Sequence, residues 1–235
     1  MTGRTDRIIQ WSMIDLKTAE YLKMLKNEFH TAVMATVDEQ GHPVTRVIDI
    51  MLADDTTIYF LTAKGKAFYR QLMQQNYVAL SAFGGGEGYD KKEASIHIKA
   101  VSVHGTVKNI GNEKLDLIFE ENPYMKQIYP ENESRRALEV FCIEEGIGEF
   151  FDLSTIPITR ETFAVGKFSA ISETEQQEYG ISDDCIQCGA CLNVCPQSCI
   201  RTDCRPYKIV TQHCLHCGNC LSVCPVSAVS FGKQQ

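Results

Sequence analysis

Ten cysteines fall between Cys185 and Cys224, and eight of them sit in two runs of one pattern, CIQCGACLNVCP and CLHCGNCLSVCP. Thiolates are soft ligands, and thiolates crowded at such short spacings suit metal. Structural zinc takes two C-x2-C pairs separated by a longer spacer. Here a third cysteine follows each pair after two residues, and Cys-Pro follows after three more, which is the spacing that holds four-iron, four-sulfur cubanes. C-x2-C-x2-C wraps one loop around three corners of a cubane, so the fourth thiolate must come from elsewhere. In this spacing the last cysteine serves the other cluster, because the helix expected to begin at it carries the chain away from its own loop. Cys185, Cys188, Cys191 and Cys224 are therefore assigned to one cluster, and Cys214, Cys217, Cys220 and Cys195 to the second. Gly189 and Gly218 allow the tight fold between ligands, and Pro196 and Pro225 set the chain direction after the fourth. Of the remaining cysteines, Cys199 and Cys142 read as buried core residues and Cys204 as a free thiol.

The elements that must position these residues come in two sets. The stretches 185–200 and 214–229 superpose at a spacing of 29 residues, with Cys199 opposite Ala228, so the C-terminal part reads as a duplicated half-domain. Before it, KFSAISETEQQEYGIS is polar and acidic, as linkers are. This divides the chain into a domain at 1–167, a linker at 168–182 and a domain at 183–235. In the first domain, apolar residues at three-residue steps predict a helix over 15–28. TAVMATV, PVTRVIDIML, TTIYFLT, YVALSAF, ASIHIKAVSVHGTV, LEVFCIEE, GEFFDLS and ITRETFAV read as strands. KAFYRQLMQQ and NEKLDLIFEEN read as helices, and GGGEGYDKKE as a connection. Seven or eight strands with few helices predict a mainly β fold, an antiparallel barrel or sandwich.

Composition bounds the function. The formal charge of -7 argues against a nucleic-acid backbone as partner. No apolar run is long enough to span a bilayer, and the opening residues lack the apolar stretch of a secretion signal. A soluble, cytoplasmic protein is expected, in a compartment that keeps thiols reduced rather than paired as disulfides.

The C-terminal 55 residues or so resemble the bacterial two-cluster ferredoxins, through both cysteine motifs. The first 165 or so resemble the flavin-binding split barrel of the pyridoxamine 5'-phosphate oxidase superfamily, through ATVDEQGHPVTRVIDIM, YFLTAKGKAFYRQLMQQNYVAL and VSVHGTV. The whole chain is similar to a group from anaerobes that joins such a barrel to a ferredoxin tail. The fold these resemblances imply is an antiparallel FMN-binding split barrel followed by a small α+β two-cluster ferredoxin-like domain. They further imply that Arg46, Val47 and Ile48, then Leu61 and Thr62, then Lys64 and Lys66, hold FMN, and that two subunits form a homodimer with FMN at the interface. The chemistry suits a phosphate: TAKGKAF offers a hydroxyl, amides and cations where a loop enters a helix. Family enzymes that oxidise pyridoxamine phosphate place an Arg-Lys pair where this chain has Ala67 and Phe68. The expected activity is thus not that of a true pyridoxamine 5'-phosphate oxidase.

The expected function is an oxidoreductase in which two 4Fe-4S clusters and FMN exchange electrons, reducing a small organic substrate with a redox partner protein such as a ferredoxin. A non-enzymatic electron-transfer protein and a haem-binding split barrel are the alternatives. His30, His42, His97, His104 and Tyr69 are candidate substrate-side groups, each also explained as a structural residue.

Overall fold

The structure, a computed structural model, describes residues 17–85, 97–167 and 178–232. Helix α1 occupies 17–24 and widens into a π turn at Leu25–Phe29. Its buried side is Thr18, Ala19, Tyr21, Leu22 and Leu25, a set that three- and four-residue steps place on one face.

Eight strands follow: β1 (Thr31–Val37), β2 (Pro43–Asp49), β3 (Leu52–Ala53), β4 (Ile58–Ala63), β5 (Tyr77–Gly85), β6 (Ile98–Gly111), β7 (Leu138–Asp152) and β8 (Thr159–Gly166). They form one sheet in the order β2-β1-β5-β6-β7-β4-β3, with β8 paired to β7. β1 runs antiparallel to β2 and β5, and β4 runs antiparallel to β3 and β7. Alternation along β1 buries Ala32, Met34 and Thr36 and turns Thr31 and Val33 outward. β4 departs from alternation, burying Ile58, Tyr59 and Phe60 in succession, because both of its faces are covered. On one face Phe60 stacks on Phe141 of β7 at 5.7 Å and on Phe68 of helix α2 (Ala67–Gln74) at 6.0 Å. On the other, Tyr59 joins Met51, Leu52, Leu138 and Val140 against Ile118, Phe119 and Met125, carried by α3 (Leu115–Glu121) and α4 (Met125–Ile128). Each such side chain contributes about 1.5–3 kcal/mol by leaving water.

LEVFCIEE and GEFFDLS, expected as two strands, are one continuous strand. The glycines between them suggested a break, but they mark close approach instead. A Cβ on Gly146 would strike the His104 carbonyl of β6, and one on Gly148 would enter the Phe163 ring of β8.

After the short α5 (Asn132–Arg135) and these closing strands, the C-terminal residues repeat one small motif. The first half is β9 (Tyr179–Ile181), a cysteine loop, α6 (Ala190–Val194) and β10 (Ile200–Arg201); the second is β11 (Lys208–Ile209), a loop, α7 (Asn219–Ser222) and β12 (Val229–Phe231). β9 lies within the stretch read as linker, where its Tyr and Ile face a strand that the sequence places far downstream. Pairing is exchanged between halves: β9 joins β12 and β10 joins β11, both antiparallel. The helix of each half precedes the fourth cysteine rather than beginning there: Cys195 caps α6, Val223 caps α7 just before Cys224, and each cysteine leads into the closing turn and strand.

The described residues divide into two compact units, one of 17–84, 100–149 and 163–167, the other of 85, 97–99, 150–162 and 178–232. The second unit thus includes residues 150–162, assigned from sequence to the first domain. None of the helices among the described residues is long and apolar enough to cross a membrane.

Candidate functional site

The backbone of the C-terminal unit repeats together with its sequence. Positive φ recurs at equivalent positions, at Gln187 and His216 (56° and 55°), Gly189 and Gly218 (78° and 77°), and Ser198 and Ser227 (50° and 54°). Such angles turn a chain tightly, and their recurrence gives both loops one shape. Each loop lines a pocket partly open to solvent. Cys185, Cys188, Cys191 and Cys224 border one of about 330 Å³, with Ile181, Ile186, Val226 and Val229 among its apolar walls. Cys214, Cys217, Cys220 and Cys195 border the other, of about 340 Å³, with Ile200, Ile209 and Leu215. The exchanged strand pairing explains this grouping. β10 and β12 each follow a fourth cysteine and pair with the other half, which brings that cysteine to the other half's loop.

The sulfurs are poised as ligands. The backbone N–H of Ala228 donates to Cys224 Sγ at 3.2 Å, and that of His216 donates to Cys214 Sγ at 3.4 Å. Burial opposes ionisation of Cys224, yet the amides of Val226, Val229, Ala228 and Ser227 outweigh it and lower its pKa. All eleven cysteines are unpaired. Two apolar cavities, each walled by four thiols and served by amide donors, fit the donor set of a four-iron cluster.

Cys199, read from sequence as core, is buried at 6% exposure, but it also lines the second cavity. Its Sγ lies 3.5 Å from Cys195 Sγ. Its interaction with Cys214 raises the Cys199 pKa and lowers that of Cys214 to about 6. The mismatch with Ala228 was the sequence signal for this residue. Cys142 is half-buried at the edge of the cluster under α3, and Cys204 is half-buried beside Gln187, whose amide donates to its carbonyl. Residues 150–162 reach the same unit through Ile158, whose N–H donates to Gln197 Oε1 at 3.2 Å and whose carbonyl lies 2.8 Å from His213 Nδ1.

In the barrel, Arg46 of β2 donates to Thr36 Oγ1 at 2.7 Å and to Gln71 Oε1 at 2.8 Å, with its guanidinium 4.3 Å above the Phe68 ring. Burial lowers its pKa from the ordinary arginine value. Thr62 of β4 is 3% exposed, and its Oγ1 has no hydrogen-bond partner among the described residues. A buried hydroxyl in that state costs about 1–3 kcal/mol, so its position calls for a partner. Lys66 starts α2, whose first turn has no side-chain cap and no acidic residue. An uncapped helix start offers free N–H groups to an anion. α2 thereby gathers Arg46 from β2, Phe60 from β4 and the basic loop Lys64–Lys66 at one end of the barrel. This arrangement fits a phosphate-bearing flavin. Leu61 and Ile48 are partly buried, whereas Val47 points outward at 68% exposure.

Sequence reading missed the groups that hold these residues. Lys64 Nζ sits 3.8 Å from Glu139 Oε1, while Tyr69 OH and Asn109 Nδ2 donate to Glu139 Oε2 at 2.7 and 2.6 Å. Those two bonds hold the Glu139 carboxyl below its ordinary range. Gln71, three residues after Phe68, shares its helix face, which was a faint signal; Glu139 and Asn109 carried none. Among the candidate substrate-side groups, His30 lies 3.2 Å from Tyr124 OH, which donates to Asp49. His104 Nδ1 lies 2.7 Å from Tyr77 OH, His42 pairs with Asp38 near the surface, and His97 is half-buried. The structure does not bring these histidines together.

Residues 18–145 match the pyridoxamine 5'-phosphate oxidase family, and residues 184–228 match the 4Fe-4S dicluster domain. The chain belongs to the pyridoxamine 5'-phosphate oxidase family, with a flavin-binding split-barrel fold, and carries a ferredoxin-like 4Fe-4S domain after it. A pyridoxine/pyridoxamine 5'-phosphate oxidase of Legionella pneumophila (strain Lens) is 26% identical over 129 residues, 54% of this chain and 55% of that protein. The chain thus spans about half the length of the relatives it matches. A NimC/NimA family protein of Clostridium acetobutylicum is similar in fold, with TM-score 0.50 at 18% identity, covering 66% of this chain and 98% of that one. A heme binding protein from Mycobacterium smegmatis gives TM-score 0.46 at 10% identity, covering 63% and 57%.

Proposed function

We propose that this protein is an oxidoreductase that passes electrons between two 4Fe-4S clusters and FMN to reduce a small organic substrate. The observation that carries the reading is the gathering of eight cysteines into two four-sulfur cavities, on one chain with a flavin-family barrel. When bound, the clusters supply electrons singly, and the flavin exchanges them singly or in pairs, which connects a one-electron carrier to a two-electron substrate.

The chain's own residues do the rest. Cys185, Cys188, Cys191 and Cys224 hold one cluster; Cys214, Cys217, Cys220 and Cys195 hold the second, each beside apolar side chains. Thr62, the α2 amides, Lys64 and Lys66 take the flavin phosphate, and Phe68 and Gln71 fix Arg46 beside it. Ala67 and Phe68 stand where family enzymes that oxidise pyridoxamine phosphate carry an Arg-Lys pair, and this departure supports a different substrate.

The outer face of β2, β1 and β5 supports a homodimer with FMN at the interface. Val47 (68% exposed) lies opposite Val33 (50%), and Tyr77 (52%) and Phe83 (65%) share that face. Such an exposed apolar surface marks an interface. Val47→Glu should shift the sedimenting species from dimer to monomer; a dimer that persists would count against this face.

Anaerobic reconstitution tests the whole reading. Iron, acid-labile sulfide and FMN should load together, and reduction of the clusters by dithionite should bleach the flavin. Flavin that stays oxidised beside reduced clusters rules out internal transfer. A Soret band in place of flavin absorption would favour a haem-binding barrel, and a flavin that no small molecule reoxidises would favour an electron carrier.

A further inference from the structure

We propose that Cys199 makes the two clusters electrically unequal: its thiol donates a hydrogen bond to the sulfurs that ligate the second cluster and raises that cluster's reduction potential above that of the first. This inference rests on the cluster reading given above.

The duplication supplies an internal control. Cys199 and Ala228 occupy equivalent places, each after a serine of positive φ and just before or at the closing strand, and both are buried, at 6% and 2% exposure. The chain takes positive φ at equivalent places in both halves, and at this position the side chain differs. Cys199 lines the cavity bordered by Cys195, Cys214, Cys217 and Cys220, with its Sγ 3.5 Å from Cys195 Sγ. Four sulfurs complete the protein ligation of a cubane, so a fifth in the same wall has no iron left to bind. A sulfur bound to iron has given up its proton and can only accept a hydrogen bond. The donor must then be the Cys199 S–H. Burial keeps water from competing for that proton.

Reduction adds one electron to the cluster, and no bond forms or breaks at Cys199, which keeps its proton. A donor aimed at the ligand sulfurs stabilises the more negative reduced state, and hydrogen bonds to cluster sulfurs are among the recognised determinants of potential. The Ala228 methyl has no proton to offer the first cluster. An electron arriving at the pair thus settles on the cluster held by Cys214, Cys217, Cys220 and Cys195.

The test uses the full-length holoprotein, purified anaerobically, with both potentials read by redox titration followed by electron paramagnetic resonance. Cys199→Ala should lower the higher potential and leave the lower one in place, narrowing the separation. Cys199→Ser, which keeps a donor, should retain part of it, and Ala228→Cys should raise the lower potential. Wild-type potentials in an iron-replete Cys199→Ala protein, or a parallel shift of both, would overturn the proposal. Should Cys199→Ala fail to load, unchanged potentials in both Cys199→Ser and Ala228→Cys overturn it equally. Wild-type protein lacking the eight irons of two four-iron clusters is a separate result, which removes the cluster reading itself.

Discussion

The two units of this protein build their interiors from different materials. The barrel's fully buried large side chains include Phe60, Phe119, Phe141 and Phe163, and its candidate flavin residues lie around the end of α2, beside that core. In the C-terminal unit, four of the nine residues of the buried cluster are cysteines (Cys191, Cys199, Cys214 and Cys220), and its longest paired strand segments are three residues. The barrel is a core that carries a site, whereas in the C-terminal unit the site is the core. A domain of about 55 residues buries too little apolar surface to be robust alone, and metal makes up the difference.

The largest expected effect comes from removing iron. Chelation under oxidising conditions should unfold residues 178–232 and leave the barrel folded, seen as proteolytic cleavage confined to the C-terminal unit while the sheet signal in circular dichroism persists. Protection of that unit without metal would erase the contrast.

Paired cysteine substitutions sharpen it next. If Cys195 serves the Cys214 loop, Cys195→Ala combined with Cys217→Ala should cost one cluster, four irons, whereas Cys195→Ala combined with Cys188→Ala should cost both. Iron analysis per chain decides, and the reverse pattern would place each fourth ligand with its own loop.

In the barrel a site residue should be separable from stability. Thr62→Val removes a hydroxyl that has no partner, so the flavin-free barrel should melt no lower than wild type, while FMN affinity drops about tenfold, near 1.4 kcal/mol. Fluorescence titration with FMN and thermal melting of the flavin-free form measure the two effects. A lower melting temperature would make Thr62 part of the core after all.

The smallest effect is electrostatic. Bonds from Asn109 and Tyr69 hold the Glu139 pKa below its ordinary value, so the stabilisation is complete above the unfolded-state pKa and is lost as pH falls through the lowered folded value. Glu139→Gln should therefore be less stable than wild type at neutral pH by about 1 kcal/mol or less, and the gap should close on acidification. Denaturant melts across that range check the sign; a gap that widens in acid would contradict it.

How much of this was legible beforehand varied with the kind of signal. β1, β2 and α2 were readable because alternation and helical periodicity are local patterns, and β4 because its run of β-branched and aromatic residues is local too. The continuity of β7 was not, since Gly146 and Gly148 resemble a turn until β6 and β8 lie against them. β9 was lost in a polar stretch because a three-residue strand is defined by its partner β12 rather than by its own residues. In the candidate flavin site, the strand and loop residues were named from motif, but Thr36, Gln71, Asn109 and Glu139 became visible only through their contacts.

By itself the sequence determined the duplication and singled out the eight cysteines proposed as ligands, with their proposed division into two sets, because cluster spacing is written along the chain at intervals of two or three residues. Only the tertiary structure decided what surrounds them: that strands are exchanged between halves, that Cys199 lines one cysteine cavity where Ala228 lines the other, and that Thr62 is buried without a hydrogen-bond partner among the described residues. Those properties depend on groups brought together from distant positions, and nothing in the order of residues along a chain states their separation in space.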